Sequence, residues 1–175
     1  MNQIFPRLTP PVAAGRASTT EQLDAAERLV IRSFRAWVKG IHENDHRPWN
    51  EAWNAFIQAY GTRQGKLALT WFVRMINLLR EHSDRTIGYH QPGCPCLGDD
   101  ERAFVGVIAA CRAGNALEAR DLASFLIGAD GVGDLLGAAG QLALVLDWSV
   151  SDPSLREQLA DFDLSSMSPV SLALN

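Results

Sequence analysis

Apolar residues recur at intervals of three and four along most of this chain, and that spacing restricts the fold more than any other feature. Between positions 23 and 41, the set Leu23, Ala26, Val30, Phe34, Trp37 and Ile41 places one continuous stripe on the side of a helix. Ser18-Thr-Thr-Glu21 ahead of it has the form of a capping box, in which a hydroxyl and a carboxylate satisfy the free N–H groups of a helix start. The spacing therefore predicts a first helix running to about Gly40.

The same reading continues along the chain. Pro48 suits the first turn of a second helix, where its missing N–H costs nothing, and Trp49, Trp53, Phe56, Ile57 and Tyr60 form its apolar side up to Gly61. A third helix is expected from Thr62 to Glu81 on Leu67, Leu69, Trp71, Phe72, Met75, Ile76 and Leu79. Residues 83–98, dense in Gly and Pro, read as a loop. Asp99-Asp100-Glu101 then places three carboxylates where the positive end of a helix dipole favours them, so a fourth helix should run from there to about Ala113. A fifth is expected over 116–127 and a sixth over 132–148, separated by glycine-containing turns. The segment 112–120 resembles the turn of a tetratricopeptide-type hairpin, and no second copy follows at the period a solenoid requires.

With 175 residues there is material for one core and too little for two. The expected fold is thus all-α, a single-domain bundle of about six helices in two layers. An extended arm (1–18) precedes the bundle (19–150), whose layers 19–82 and 99–148 are joined by loop 83–98. An irregular tail (151–175) follows, with a short helix near 154–159.

Charge divides the chain. Residues 1–85 carry twelve Lys and Arg against eight Asp and Glu, whereas 86–175 carry four against twelve. Opposite signs on the two halves point to their docking on each other, with an anionic partner for one half as the alternative. No uninterrupted apolar run of the length of a membrane span is evident, nor is there a secretory leader pattern, so a cytoplasmic location without membrane contact is expected. Three cysteines, an odd number, argue against a disulfide framework.

Three stretches carry candidate chemistry. His42-Glu-Asn-Asp-His46 resembles the H-E-x-x-H motif of zinc metallopeptidases, in which both histidines bind zinc from one helix and the glutamate takes a proton from the metal-bound water. It departs from that pattern at Gly40, which weakens the helix, at Asp45, where that family prefers an uncharged residue, and at Pro48, two residues after the second histidine. Tyr60-Gly-Thr-Arg-Gln-Gly-Lys66 has the form of a helix-turn-helix turn, but the apolar middle of the third helix and the net charge of −4 weigh against nucleic acid. The third stretch is His90-Gln-Pro-Gly-Cys-Pro-Cys96. Imidazole and thiolate suit zinc or another transition metal, so His90, Cys94 and Cys96 are the candidate metal ligands, and the cysteine pair is also a candidate redox couple. The functional expectation is a non-enzymatic regulatory or adaptor protein acting on a protein partner or as a homodimer, with a metal-binding or redox-responsive loop at 90–96. The competing readings are a zinc hydrolase at 42–46 and a DNA-binding regulator.

Overall fold

The computed structural model describes residues 18–147, so the tail and all of the arm except Ser18 lie outside the described residues. The fold is all-α. Helices α1 (Ala25–Glu43), α2 (Arg47–His82), α3 (Asp99–Arg112), α4 (Ala116–Leu126) and α5 (Val132–Leu146) follow one another, with short 3₁₀ turns at Thr20–Gln22 and Ala129–Gly131.

The first helix begins later than the capping box at Ser18 predicts. A second capping box, Asp24 with Glu27, starts the helix instead: the Asp24 carboxylate accepts from the Glu27 N–H at 2.8 Å, and the Glu27 carboxylate accepts from the Asp24 N–H at 2.9 Å. The preceding turn is closed by Gln22, whose side-chain oxygen accepts from the N–H groups of Ser18 and Thr19 at 2.7 and 3.3 Å. Gly40 does not stop α1. It is a point of close approach, where an added Cβ would stand 2.3 Å from Nε1 of Trp49, and this lets the Trp49 N–H reach the Trp37 carbonyl at 3.0 Å. The helix ends instead at Asn44, which adopts the left-handed conformation (φ 51°, ψ 45°) common at helix C-termini.

Gly61 was expected to end the second helix. It breaks the backbone with φ 75° and ψ 171°, yet Thr62 resumes helical geometry at once. The bend is sharp. A Cβ on Gly65 would lie 2.6 Å from the carbonyl oxygen of Phe56, whereas nine residues of straight helix rise about 13 Å. Phe56 and Phe72 likewise bring their rings to 5.5 Å. The two arms of α2 therefore pack on each other across Gly61.

α1 packs on α2, α3 on α4, and α5 against both α2 and α3. A run of rings ties the first three helices together, with Trp37 and Phe72 at 6.0 Å, Phe72 and Phe104 at 6.2 Å, and Phe104 and Phe34 at 4.7 Å. All four are fully buried. Each such side chain contributes about 1.5–3 kcal/mol by leaving water, and each favourable ring pair adds about 1 kcal/mol. A smaller apolar cluster of Leu23, Ile31, Leu97 and Val105 sits between the start of the chain, α1 and α3.

Ala129–Leu146 is long and apolar enough, with a mean hydropathy of 1.2, to meet the length and composition of a membrane span, and half of it is buried inside the bundle. Its inward side carries Leu135, Ala138, Ala139, Leu142 and Ala143.

Candidate functional site

The unusual chemistry gathers where α1, the 83–98 loop and the start of α3 meet. Arg35 is one turn beyond Ile31 on α1, on the side facing α3, and only 2% of its side chain is exposed. A buried guanidinium requires a charge partner and an acceptor for each donor. Its Nε donates to Oε1 of Glu101 at 2.7 Å, and Nη2 donates to Oε2 of Glu101 at 3.0 Å and to the Cys96 carbonyl at 2.6 Å. Nη1 donates to the Cys94 carbonyl at 2.5 Å.

Glu101 is fully buried in the first turn of α3. Besides Arg35, its carboxylate accepts from the His90 N–H at 2.9 Å, the Gly98 N–H at 2.9 Å and lies 2.8 Å from Nδ1 of His90. Burial by itself would raise this carboxyl, but the Arg35 guanidinium, the N–H groups of His90 and Gly98 and the His90 ring outweigh it and hold the group at about 2. Glu101 is therefore an anion at neutral pH, and Gly98 offers the close approach that His90 needs beside it, at 3.2 Å from a Cβ placed there.

Other ties fix the remainder of the loop. Asp100 accepts from both terminal nitrogens of Arg85, at 3.0 and 2.5 Å, and from the Gly88 N–H at 2.6 Å. The Ser83 hydroxyl donates to the Leu126 carbonyl at 2.7 Å. Residues 18–20 run beside 95–97 as a short antiparallel bridge, in which the Thr20 N–H donates to the Pro95 carbonyl at 2.8 Å and the Leu97 N–H to the Ser18 carbonyl at 3.1 Å. The ion pairs Arg35–Glu101, Arg85–Asp100 and Arg74–Asp134 join the basic half of the chain to the acidic half within one molecule.

The three candidate ligands have unequal settings. Cys94 and Cys96 are free thiols, the first half-buried and the second exposed. Hydrogen bonding and electrostatics from the neighbouring Cys94 raise the Cys96 thiol above its ordinary value. His90 turns Nδ1 to Glu101, the orientation a carboxylate imposes on many metal-binding imidazoles. The histidine and the two thiols are nevertheless not convergent: among the described residues, no three His, Cys, Asp or Glu side chains gather as a metal site. Cys111, on α3, is half-buried, and burial raises its thiol.

The H-E-x-x-H stretch is divided between elements. α1 ends at Glu43, Asn44 turns left-handed, and His46 precedes α2 with its ring 4.9 Å from that of Trp49. His42, Glu43 and His46 are all exposed, and no single helix carries both histidines. The arm of α2 that follows Tyr60–Lys66 is committed to the core through Leu69, Phe72, Met75, Ile76 and Leu78. A groove-reading helix needs that surface free.

Arg35 escaped sequence reasoning, although a signal existed. It lies one turn from Ile31 within an apolar stretch, and a charge on such a stripe calls for a buried counter-ion. The acidic triplet was read only as complementing the helix dipole. Asp99 fits that reading, being exposed and paired with Arg102, whereas Asp100 and Glu101 hold the loop. The chain matches no family model, no curated protein and no solved structure.

Proposed function

We propose that this chain is a non-enzymatic regulatory or adaptor protein of the cytoplasm, built as six helical segments in two layers, in which the Cys94-Pro-Cys96 loop responds to oxidation. One observation carries the reading. The interior Arg35 grips the backbone carbonyls of both cysteines, at 2.5 and 2.6 Å. Chemistry at these two thiols is thereby linked to the ion pair that joins α1 to α3.

Residues two apart are at most about 7 Å apart at Cα, close to the range a disulfide spans. With hydrogen peroxide as oxidant, each thiol gives up a proton and an electron, the sulfurs bond, and peroxide leaves as two waters. Closing that ring re-aims the two carbonyls and weakens their hold on Arg35. The surface offered to a protein partner or second copy lies on the outer side of α5, where Leu144 is 67% exposed and the space above Gly133, Gly137 and Gly140 is open.

The test treats reduced protein with peroxide and maps the disulfide by peptide mass. Amide exchange in α1 and α3 and the mass in solution are then compared between the two forms. The expected result is a Cys94–Cys96 bond, faster exchange around Arg35 and Glu101, and a change in self-association or partner affinity. A bond that forms without altering exchange or association would sink the proposal, as would failure of the bond to form.

A further inference from the structure

α1 and the first arm of α2 enclose a cavity of about 320 Å³, bordered on a third side by Pro92 and Gly93 of the loop. Short side chains make the room, with Ser33 and Ala36 on the α1 wall and Ala52 and Ala55 on the α2 wall. Ser33 is 2% exposed, and its hydroxyl has no hydrogen-bond partner among the described residues. Folded proteins almost always answer a buried hydroxyl, because leaving one unpaired is costly. Arg32 and Arg35, one turn apart on α1, line the same space. The four bonds of Arg35 to Glu101 and to the Cys94 and Cys96 carbonyls leave a single N–H of its guanidinium, on Nη1, without an acceptor among the described residues. Unanswered donors of α1 thus share one cavity.

Charge and size select the ligand. Glu101 neutralises Arg35, whereas Arg32, and Glu51 on the α2 wall, are in no ion pair among the described residues. A plain anion would answer the donors and leave Glu51 facing a like charge, and a plain cation would meet the guanidinium of Arg32. A molecule with an anionic and a cationic end satisfies both walls. The cavity is at the small end of ligand sites, and at about 30 Å³ for each water-sized group it takes about ten non-hydrogen atoms. Its remaining lining at Ala36, Ala52, Ala55 and Pro92 is apolar. We propose that this cavity binds a small zwitterion, an α-amino acid with a short aliphatic side chain, independently of any chemistry at the cysteines. The carboxylate takes the Ser33 hydroxyl, the remaining Nη1 hydrogen of Arg35 and the Arg32 guanidinium, bonds that charge on the acceptor strengthens. The ammonium pairs with Glu51, and the side chain rests on the alanines.

The experiment titrates the full chain, reduced, with L-alanine, L-valine and L-leucine by calorimetry, and follows the same additions by amide NMR. The tightest of the three should bind one to one with a dissociation constant below about 1 mM. Shift changes should concentrate at residues 32–36, 51–55 and 92–93. For L-valine, isovalerate lacks the ammonium and isobutylamine lacks the carboxylate, and each should bind about tenfold more weakly. Ser33→Ala and Arg32→Gln should each weaken amino-acid binding by about tenfold. Glu51→Gln should erase the preference for valine over isovalerate. Ala55→Leu fills the cavity from a half-buried position and should abolish binding. Arg32 and Glu51 are exposed and Ser33 has no partner to lose, so these variants keep the fold, which circular dichroism confirms. Absence of heat and of shift changes with all three amino acids, or binding that survives both Ser33→Ala and Ala55→Leu, would overturn the site. Isovalerate binding as tightly as valine to the unaltered protein would overturn the zwitterion assignment.

Discussion

Replacing Glu101 with Gln removes one charge and almost no volume, which makes it the sharpest probe of the knot that holds the loop. Every neighbour of this carboxylate is a donor: Arg35, the N–H groups of His90 and Gly98, and Nδ1 of His90. An amide can offer only one oxygen to that set, and its NH₂ meets donors on the other side. The fall of the carboxyl from 4.5 to about 2 corresponds to about 3 kcal/mol of native-state stabilisation, at about 1.4 kcal/mol per pH unit. Removing one member of a buried ion pair costs about 3–5 kcal/mol, so the two routes agree. With a urea slope of about 1.5 kcal/mol/M, the Glu101→Gln midpoint at pH 7 should fall by roughly 2 M. The sign of the pH effect follows from the lowered pKa. The contribution is complete above the unfolded value near 4.5 and disappears as pH falls through about 2. The gap between wild type and Glu101→Gln should accordingly be about 2 kcal/mol narrower at pH 3 than at pH 7. Equilibrium urea unfolding at both pH values measures it. A gap below about 1 kcal/mol at pH 7, or one that does not change between the two, refutes the reasoning.

Further outcomes are expected from other features. Cys94→Ala removes the hydrogen bond that raises the Cys96 thiol, so iodoacetamide should alkylate Cys96 faster at pH 8, while Cys111 stays slow because burial raises it. Gly61→Ala forces a side chain into φ 75°, ψ 171° and should lower stability by about 1–3 kcal/mol in thermal unfolding. Gly40→Ala sets a methyl group against the Trp49 indole and should cost about 1–3 kcal/mol, with a change in tryptophan fluorescence as the ring shifts.

Most of the helical plan was legible because it is local. The stripe from Val30 to Trp37 and the core arm from Leu67 to Leu79 obey the helical period, and the Gly- and Pro-rich composition of 83–98 separates α2 from α3. Punctuation was harder to read. Gly40 and Gly61 look alike in sequence, but one admits a tryptophan beside an unbroken helix and the other folds α2 back on itself. At the site, the cysteines and His90 were visible as chemistry, and their positions in the loop could be named. What holds them was not visible, because Arg35 lies 66 residues before Glu101 and no local pattern pairs them. The side-by-side run of 18–20 and 95–97 joins two distant stretches by main-chain bonds alone, and such bonds leave no mark on side-chain identity.

The long separation between Arg35 and its partners has a consequence for how the molecule comes together. α1 and α2 meet early in the chain and can begin to collapse on Trp37 and Phe72, but doing so presses a cation toward an interior that holds nothing to neutralise it until α3 arrives. A fragment ending at His82 would keep its apolar stripes and still carry that unanswered charge. The bundle is thereby made to fold as one cooperative unit, with the first half unable to settle until the second has been made.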